Sequence, residues 1–362
     1  MKIAMIAPLY ETVPPSGYGG TERVIAALSN ELVARGHDVT LFAAAGSESA
    51  ARLEPMVPAA LRSSMHRTAL IEIAPHLHLQ MLAEVFRRAH EFDIVHSHCD
   101  LWTLPFVRTT NTPTVITLHG RLDLDTVQRV YPLYPETPLV SISNSQRAPL
   151  DHFPLRWMST CYNGLDLDAY FDAPTRRGDY LAFVGRLTPE KRPDWAIEVA
   201  ERSGLPLRVA AKIDPLDAEY FHDVIEPLFA SHHVDFVGEI GEADKPEFYA
   251  GARALLFPID WPEPFGLVMI EALAAGTPVI ALDRGSVPEV VIDRRSGAIC
   301  ASVDEMVEAV GWIDQLGADA CRDQAGRFTS EAMADQYIAV YRRVIDSARR
   351  QLVGSDSSRS DR

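Results

Sequence analysis

Short apolar runs alternate with amphipathic stretches along nearly the whole chain. In the first half, Lys2–Ala7, Val39–Ala44, Asp93–His96, Thr114–Leu118 and Leu139–Ile142 are brief and rich in Val, Ile and Leu. Such runs suit strands buried on both faces of a parallel sheet. Val24, Leu28 and Leu32 recur every four residues with Ile25 and Val33 beside them, which predicts a helix over Thr21–Arg35. Thr21 is placed to cap its start and Gly36 to end it in a left-handed turn. The stretch Glu48–Leu70 has no clean period and reads as loop plus helix. From Asp179 the alternation resumes. Strands are expected at Tyr180–Val184, Leu207–Ala211, Val234–Val237, Ala254–Phe257, Pro278–Leu282 and Ala298–Cys300. Helices are expected at Pro193–Glu201, Lys245–Ala250, Leu267–Ala275 and Asp304–Leu316. Alternation on this scale implies two parallel sheets with right-handed crossovers.

The length, 362 residues, agrees with two domains, and the hydrophilic Asp172–Asp179 segment with Pro174, Arg176, Arg177 and Gly178 reads as the linker. The expected division is 1–171 and 172–330, with a helix over Ser330–Arg349 and a Ser-, Asp- and Arg-rich tail, 354–362, expected to be disordered. Lys plus Arg is 34 against 50 Asp plus Glu, a formal charge of −16. That balance argues against a nucleic-acid partner, which needs a basic face. A phosphorylated small ligand needs only a local cationic cluster and stays open. No apolar run approaches the ~20 residues of a membrane span. The apolar stretch Ile3 to Ala7 is too short for a signal-peptide core, so it reads as the first strand. Cys99, Cys161, Cys300 and Cys321 fall in no zinc-like spacing and are expected to be reduced, buried thiols. A cytoplasmic protein without membrane association is expected.

In open α/β sheets ligands bind outside the carboxyl ends of the strands, and candidate chemistry follows four of them. Pro14-Pro15-Ser16-Gly17-Tyr18-Gly19-Gly20-Thr21 follows the first strand and opens onto a helix, whose N-terminus favours an anion; it reads equally as a surface loop needing glycine. A dinucleotide site fits poorly, because the connection is long and proline-bearing and no acid ends the second strand. Gly185-Arg186 with Lys191 follows the first strand of the second half, where a guanidinium and an ammonium can grip a diphosphate. Glu263-Pro264-Phe265-Gly266-Leu267 leads into a helix containing Glu271. If both acids are helical, eight positions at ~100° leave them about 80° apart. Glu271 stands among Ile270, Ala272 and Leu273, so its carboxylate needs a partner, and ligand hydroxyls are good ones. The amides of Gly266 and Leu267 leave the helix start towards an anion. Finally, Thr117-Leu118-His119-Gly120 places a histidine at a strand end, either as a structural residue or as a donor to a phosphate or sugar hydroxyl.

Together the Gly19-Gly20 loop, Gly185-Arg186 with Lys191, and Glu263-Pro264-Phe265-Gly266 ending in Glu271 resemble the retaining glycosyltransferases of family 4. The resemblance runs from Met1 to about Ile345, and Tyr162-Asn163-Gly164-Leu165-Asp166 resembles the family's asparagine-glycine turn, with Cys161 where a β-branched residue is usual. It implies the α/β GT-B fold: two facing Rossmann-like domains with an interdomain cleft, and a C-terminal helix, about 331–350, crossing back to the first domain. The first domain would carry the acceptor and the second the nucleotide-sugar donor. By the same resemblance Arg186 and Lys191 bind the donor diphosphate, approached by the backbone of Gly19 and Gly20. Glu271 takes the ribose hydroxyls, and Glu263 the transferred sugar, with Phe265 and the Gly266 and Leu267 amides nearby. His119 lies under the reacting sugar. The catalytic set is then His119, Arg186, Lys191 and Glu263, and Tyr10, His98 and Arg121 are acceptor candidates.

The implied reaction moves a hexose-type sugar from a nucleoside diphosphate sugar, UDP by family usage, to an acceptor hydroxyl with retention. The nucleotide sugar is a substrate, and neither a cofactor nor an essential metal is expected. Asp123-Leu124-Asp125 and Asp166-Leu167-Asp168 match the short DxD pattern of metal-dependent transferases, but neither follows a convincing strand. His96-Ser97-His98 puts two imidazoles on one strand face with no third ligand evident, which favours packing or acceptor contact over a metal. No GxSxG nucleophile motif is present. A sugar-nucleotide epimerase on the same fold, which needs no acceptor, and a non-catalytic nucleotide-sugar-binding protein are the alternatives.

Overall fold

The computed structural model describes residues 1–174, 178–213, 217–231 and 233–359. Arg176 and Arg177 of the expected linker, and 360–362 of the expected tail, lie outside the described residues. The chain divides into two compact units, Met1–Leu165 with the segment from Ser330, and Asp166–Thr329.

The first unit is a seven-stranded sheet of β1 (Lys2–Ile6), β2 (Asp38–Ala44), β3 (Arg52–Val57), β4 (Ile94–Ser97), β5 (Thr114–Thr117), β6 (Leu139–Ser141) and β7 (Trp157–Thr160). Their order is β3-β2-β1-β4-β5-β6-β7, and every pairing is parallel. The two strands that the sequence pattern missed, β3 and β7, are the two edges. Edge strands are wetted, and β3 carries Pro55, Arg52 and Glu54, which only an edge tolerates well. Helix α1 (Gly20–Ala34) has Gly19 at its N-cap, so Thr21 lies inside the first turn instead of capping it. Its end follows the expectation: Gly36, at φ +80°, donates to Val33 O at 2.9 Å and His37 to Leu32 O at 3.0 Å. One face of the sheet is packed by Leu82, Val85 and Phe86 of α2 (Ala74–Arg87), over Ile6, Phe42 and Val95.

The second unit is a six-stranded parallel sheet of β8 (Leu181–Arg186), β9 (Leu207–Lys212), β10 (Val234–Gly238), β11 (Ala254–Phe257), β12 (Val279–Leu282) and β13 (Gly297–Cys300), ordered β10-β9-β8-β11-β12-β13. Helices α3 (Pro193–Ser203), α4 (Lys245–Ala250) and α5 (Leu267–Ala274) lie close to their expected spans. The stretch expected as one helix over Asp304–Leu316 is instead an α-helix, Val303–Val310, and a separate 3-10 turn, Ile313–Gln315, parted at Gly311.

Helix α6 (Ser330–Arg359) is chain-terminal but belongs to the first unit, where its tyrosines reach into the sheet. Tyr341 OH is 2.8 Å from His96 Nδ1 and Tyr337 OH 3.0 Å from Thr117 Oγ1, and Arg343 donates to Met158 O at 2.6 Å. It runs to Arg359 without a break, so helix continues past Gly354, where an irregular tail is expected. The fold is α/β, the two-domain Rossmann-like architecture called GT-B.

Candidate functional site

Strand order decides where ligands can sit. In each sheet the chain builds outward in one direction and then returns to start the other, leaving a crevice at the carboxyl ends of the two central strands. In the first unit that switch point is β1/β4, and in the second it is β8/β11. The motifs singled out in the sequence follow β1, β8 and β11 of these strands, and the His119 motif follows β5, the neighbour of β4.

In the second unit, β8 ends at Arg186, and the turn Pro189–Lys191 leads to α3. Arg186 Nη2 donates to Glu190 Oε1 at 3.4 Å, and Nη1 lies 3.7 Å from Asp217 Oδ2. Lys191 is 9% exposed; its ammonium donates to Glu263 Oε2 and stands 5.2 Å from the Trp261 ring and 5.7 Å from that of Phe257. Each cation thus has a carboxylate beside it, and the lysine is held against an aromatic wall. Glu263 lies in the loop before α5 and not on the helix, so the helical angle between it and Glu271 does not apply. Gly266 caps α5 at φ +78°, where a Cβ would stand 2.8 Å from Met269 Cε and 2.9 Å from Phe257 Cζ. The first two amides of α5, Leu267 and Val268, have no intrahelical acceptor, whereas Met269 N–H donates to Gly266 O at 3.0 Å. Phe265 is 2% exposed and packs edge-on against Phe328 at 5.6 Å, so only its backbone is offered to a ligand.

Glu271 is fully buried on α5. Tyr249 OH donates to Oε2 at 2.8 Å, Tyr170 OH to Oε1 at 3.4 Å, and Lys245 Nζ is 3.6 Å from Oε1. The partner its burial demands is supplied by two phenols and an ammonium of the same unit.

Sequence reasoning passed over what holds this loop. Gly285, just after β12, has φ +54°, and a Cβ there would stand 2.4 Å from both N and O of Glu263. Ser286, fully buried, donates its N–H to Glu263 O at 3.0 Å and its hydroxyl to Phe265 O at 2.7 Å. On the other side, Asp260 N–H donates to Glu190 O at 3.0 Å, tying the Glu263 loop to the turn that carries Lys191. The signal was available, because Arg284-Gly285-Ser286 follows a strand like the other motifs.

In the first unit the loop after β1 is pinned at several points. Leu9 N–H donates to His78 Nε2 at 2.9 Å, Val13 N–H to Ser47 Oγ at 2.9 Å and Arg62 N–H to Tyr10 O at 3.0 Å. His78 Nδ1 meets Ala74 O at 2.7 Å, and burial holds this imidazole down at about 4, hence neutral. The Tyr10 ring lies against it at 5.0 Å. At Gly19 a Cβ would come within 2.8 Å of Pro15 Cγ, so the loop can close onto α1 only with glycine there; Gly20 begins the helix. Glu22, in the first turn of α1, is 6% exposed, and burial, reinforced by Glu11, pushes its carboxyl up to about 7.

The ends of β4 and β5 bring three imidazoles together. His96 and His98 share a face with ring centroids 4.1 Å apart, and His98 Nδ1 is 2.7 Å from His119 Nε2. His98 is 2% exposed and enclosed; His119 is half-buried. The backbone N–H of His119 donates to Asp100 Oδ1 at 3.1 Å, and Asp100 itself sits at φ +40°. Arg121, the remaining acceptor candidate, grips Asp123 with both arms of its guanidinium, Nε–Oδ1 at 2.9 Å and Nη2–Oδ2 at 2.5 Å. Among the described residues no three His, Cys, Asp or Glu side chains converge as a metal-ligand set, and no helix is long and apolar enough to cross a membrane.

Comparison with known proteins agrees with this layout. Residues 173–332 match the family described as Glycosyl transferases group 1, and residues 18–169 match Glycosyltransferase Family 4. A D-inositol 3-phosphate glycosyltransferase of Frankia alni is 28% identical over 397 residues, covering 91% of this chain and 96% of its own. A phosphatidyl-myo-inositol mannosyltransferase of Mycobacterium leprae is 26% identical over 399 residues, 98% of this chain and 100% of its own. The structure of a sucrose-phosphate synthase from Thermosynechococcus elongatus, 21% identical, matches with a TM-score of 0.76 over 96% and 99% of the two chains, a likeness of fold.

Proposed function

The chain belongs to glycosyltransferase family 4, and we propose that it moves a hexose-type sugar from a UDP-linked donor to an acceptor hydroxyl with retention of configuration, in the cytoplasm and without an essential metal ion. The observation that carries the reading is the Lys191–Glu263 pair beside Arg186 at the β8/β11 switch point, inside the segment that matches the glycosyl-transferase family. A diphosphate leaving group needs fixed positive charge, which Arg186 and Lys191 supply together with the amides at the start of α5. Glu263 then exchanges its ammonium partner for hydroxyls of the transferred sugar. Glu271, whose two oxygens are engaged by Tyr249, Tyr170 and Lys245, takes the ribose hydroxyls by exchanging the longest of its hydrogen bonds, that from Tyr170 to Oε1 at 3.4 Å.

In the step itself the bond between the anomeric carbon and the diphosphate oxygen breaks, its electrons going to the diphosphate. The acceptor oxygen bonds to the same carbon from the same face and gives its proton to the departing diphosphate oxygen. The relatives named for inositol phosphate and phosphatidyl-inositol suggest a cyclitol or other polyol as acceptor.

A thermal-shift panel of UDP, GDP and ADP, each with magnesium and with EDTA, tests the donor reading, because a ligand of the folded state raises the melting temperature by mass action. UDP is expected to give the largest shift, unchanged by EDTA; no shift with any nucleotide overturns the reading. Acceptor-dependent UDP release from UDP-glucose, with the product anomer read by NMR, then tests transfer and stereochemistry. Acceptor-independent conversion of the donor would point to the epimerase.

A further inference from the structure

The contacts around His119 decide which of its nitrogens a ligand meets, and with what proton. Met5 lies on β1, His98 just past the end of β4 and His119 just past the end of β5, on adjacent central strands. His98 Nε2 is 3.2 Å from Met5 Sδ. A thioether has lone pairs and no proton to donate, so the contact is attractive only if His98 Nε2 carries the hydrogen. A neutral imidazole has one such hydrogen, which leaves His98 Nδ1 as a lone pair. That lone pair faces His119 Nε2 at 2.7 Å, so His119 must donate from Nε2. The single hydrogen of His119 is thereby spent, and its Nδ1 is left as an acceptor. His96 does not disturb the sequence, because its two nitrogens are taken by hydroxyls, Tyr341 at 2.8 Å and Thr117 at 2.7 Å.

All three rings are neutral at physiological pH: burial holds His119 down at about 4 and His96 at about 3, and pushes His98 well below the ordinary histidine range, with the neighbouring imidazoles adding to the effect on His96 and His98. Of the three, only His119 is not fully buried.

We propose that Met5 and His98 are positioning residues that fix the tautomer of His119, so that His119 meets its ligand through an unprotonated Nδ1 and accepts a hydrogen bond from a sugar hydroxyl. The ligand's identity rests on the donor reading above; the tautomer does not. One consequence separates two roles left open by the sequence. A phosphate oxygen brings only lone pairs and would be repelled by Nδ1, whereas a hydroxyl brings a proton. His119 therefore discriminates between the sugar and the diphosphate, and it disfavours a donor deoxygenated at the facing position.

The test is long-range proton–nitrogen NMR on the full chain labelled with nitrogen-15 histidine at pH 7.5, with His119→Asn identifying the resonances. His119 is expected to show a protonated Nε2 and a lone-pair Nδ1; the opposite tautomer, or protonation at both nitrogens, overturns the proposal. Met5→Leu, close in volume and so expected to fold, removes the acceptor of the His98 proton. Its His119 signals should move towards a mixture of tautomers, and an unchanged pattern overturns the part given to Met5. UDP-glucose, GDP-mannose and ADP-glucose are then added, each beside its bare diphosphate. The Nδ1 signal should respond to the sugar nucleotide and not to the diphosphate alone; equal responses overturn the hydroxyl assignment. If no nucleotide binds while the tautomer is as stated, the donor reading fails and the tautomer assignment stands.

Discussion

The carboxyl ends of the two sheets are built from opposite materials. At β8/β11 the side chains are cations held by carboxylates: Lys191 by Glu263, Arg186 by Glu190 and Asp217, and Arg192 by Asp194 and Asp260. At β4/β5 they are neutral imidazoles, with His98 and His119 joined by a 2.7 Å hydrogen bond whose direction follows from the thioether of Met5, and His96 held between two hydroxyls. Paired ions can change partners when a ligand with its own charge arrives, so they suit a diphosphate. Neutral imidazoles in fixed tautomers read the direction of a hydrogen bond, so they suit hydroxyls. The same sheet topology therefore carries two kinds of recognition, and each should fail in its own way.

The largest failure is expected on the charged side. Arg186→Ala or Lys191→Ala should lower turnover by about 10²–10³-fold, the usual cost of losing a group that stabilises developing charge. Loss within tenfold in both variants would remove these residues from the site. Next comes the clamp: Gly285→Ala forces a Cβ onto the backbone of Glu263 and should cut turnover by roughly 10²-fold, on the scale seen when reacting groups are displaced by about 1 Å. Ser286→Ala, which loses one hydrogen bond to Phe265 O, should do less, and its effect should shrink in a Glu263→Gln background if it acts through that loop. Additive effects would show that it does not.

Salt sharpens the contrast further. Donor affinity should weaken as ionic strength rises, because the charged contacts are screened. The loss caused by His119→Asn should stay the same from low to high salt, and a salt-dependent loss would show that His119 acts through charge.

The smallest expected effects are on stability and run in opposite directions with pH. His78, depressed to about 4, binds fewer protons in the folded than in the unfolded chain between about pH 6.5 and 4. It therefore contributes stability above that window and loses it as pH falls, by about 1.4 kcal/mol per pH unit. His78→Gln should flatten the acid limb of a melting-temperature profile. Glu22, raised to about 7, binds more protons when folded, so its contribution is present at low pH and lost as pH rises through 7. Glu22→Gln should thus raise the melting temperature at pH 8 relative to the parent and change it little at pH 5.

Legibility in the sequence followed the environment of each segment. Central strands such as β1, β5 and β11 are buried on both faces and read as unbroken apolar runs, so their positions were plain. The edges β3 and β7 meet water and carry polar residues, so they lost that signal. Lys191 and Glu263 were found because charged residues follow strands at fixed spacing. The partners of Glu271 were not found, since Tyr170 and Tyr249 lie 101 and 22 positions away and nothing local marks them. The histidine tautomers were also out of reach, because they depend on Met5, 93 residues from His98.

The placement of helix α6 has a consequence for synthesis. The first unit is assembled from two separated stretches of chain, while the second is one continuous stretch set between them. A ribosome delivers the second unit whole before it delivers Tyr337 and Tyr341. Until then Thr117 and His96 face a groove without the phenols that complete their hydrogen bonds. The nascent first unit must wait, partly built, for the last segment to emerge, and so it is the unit more exposed to chaperones and proteases during translation.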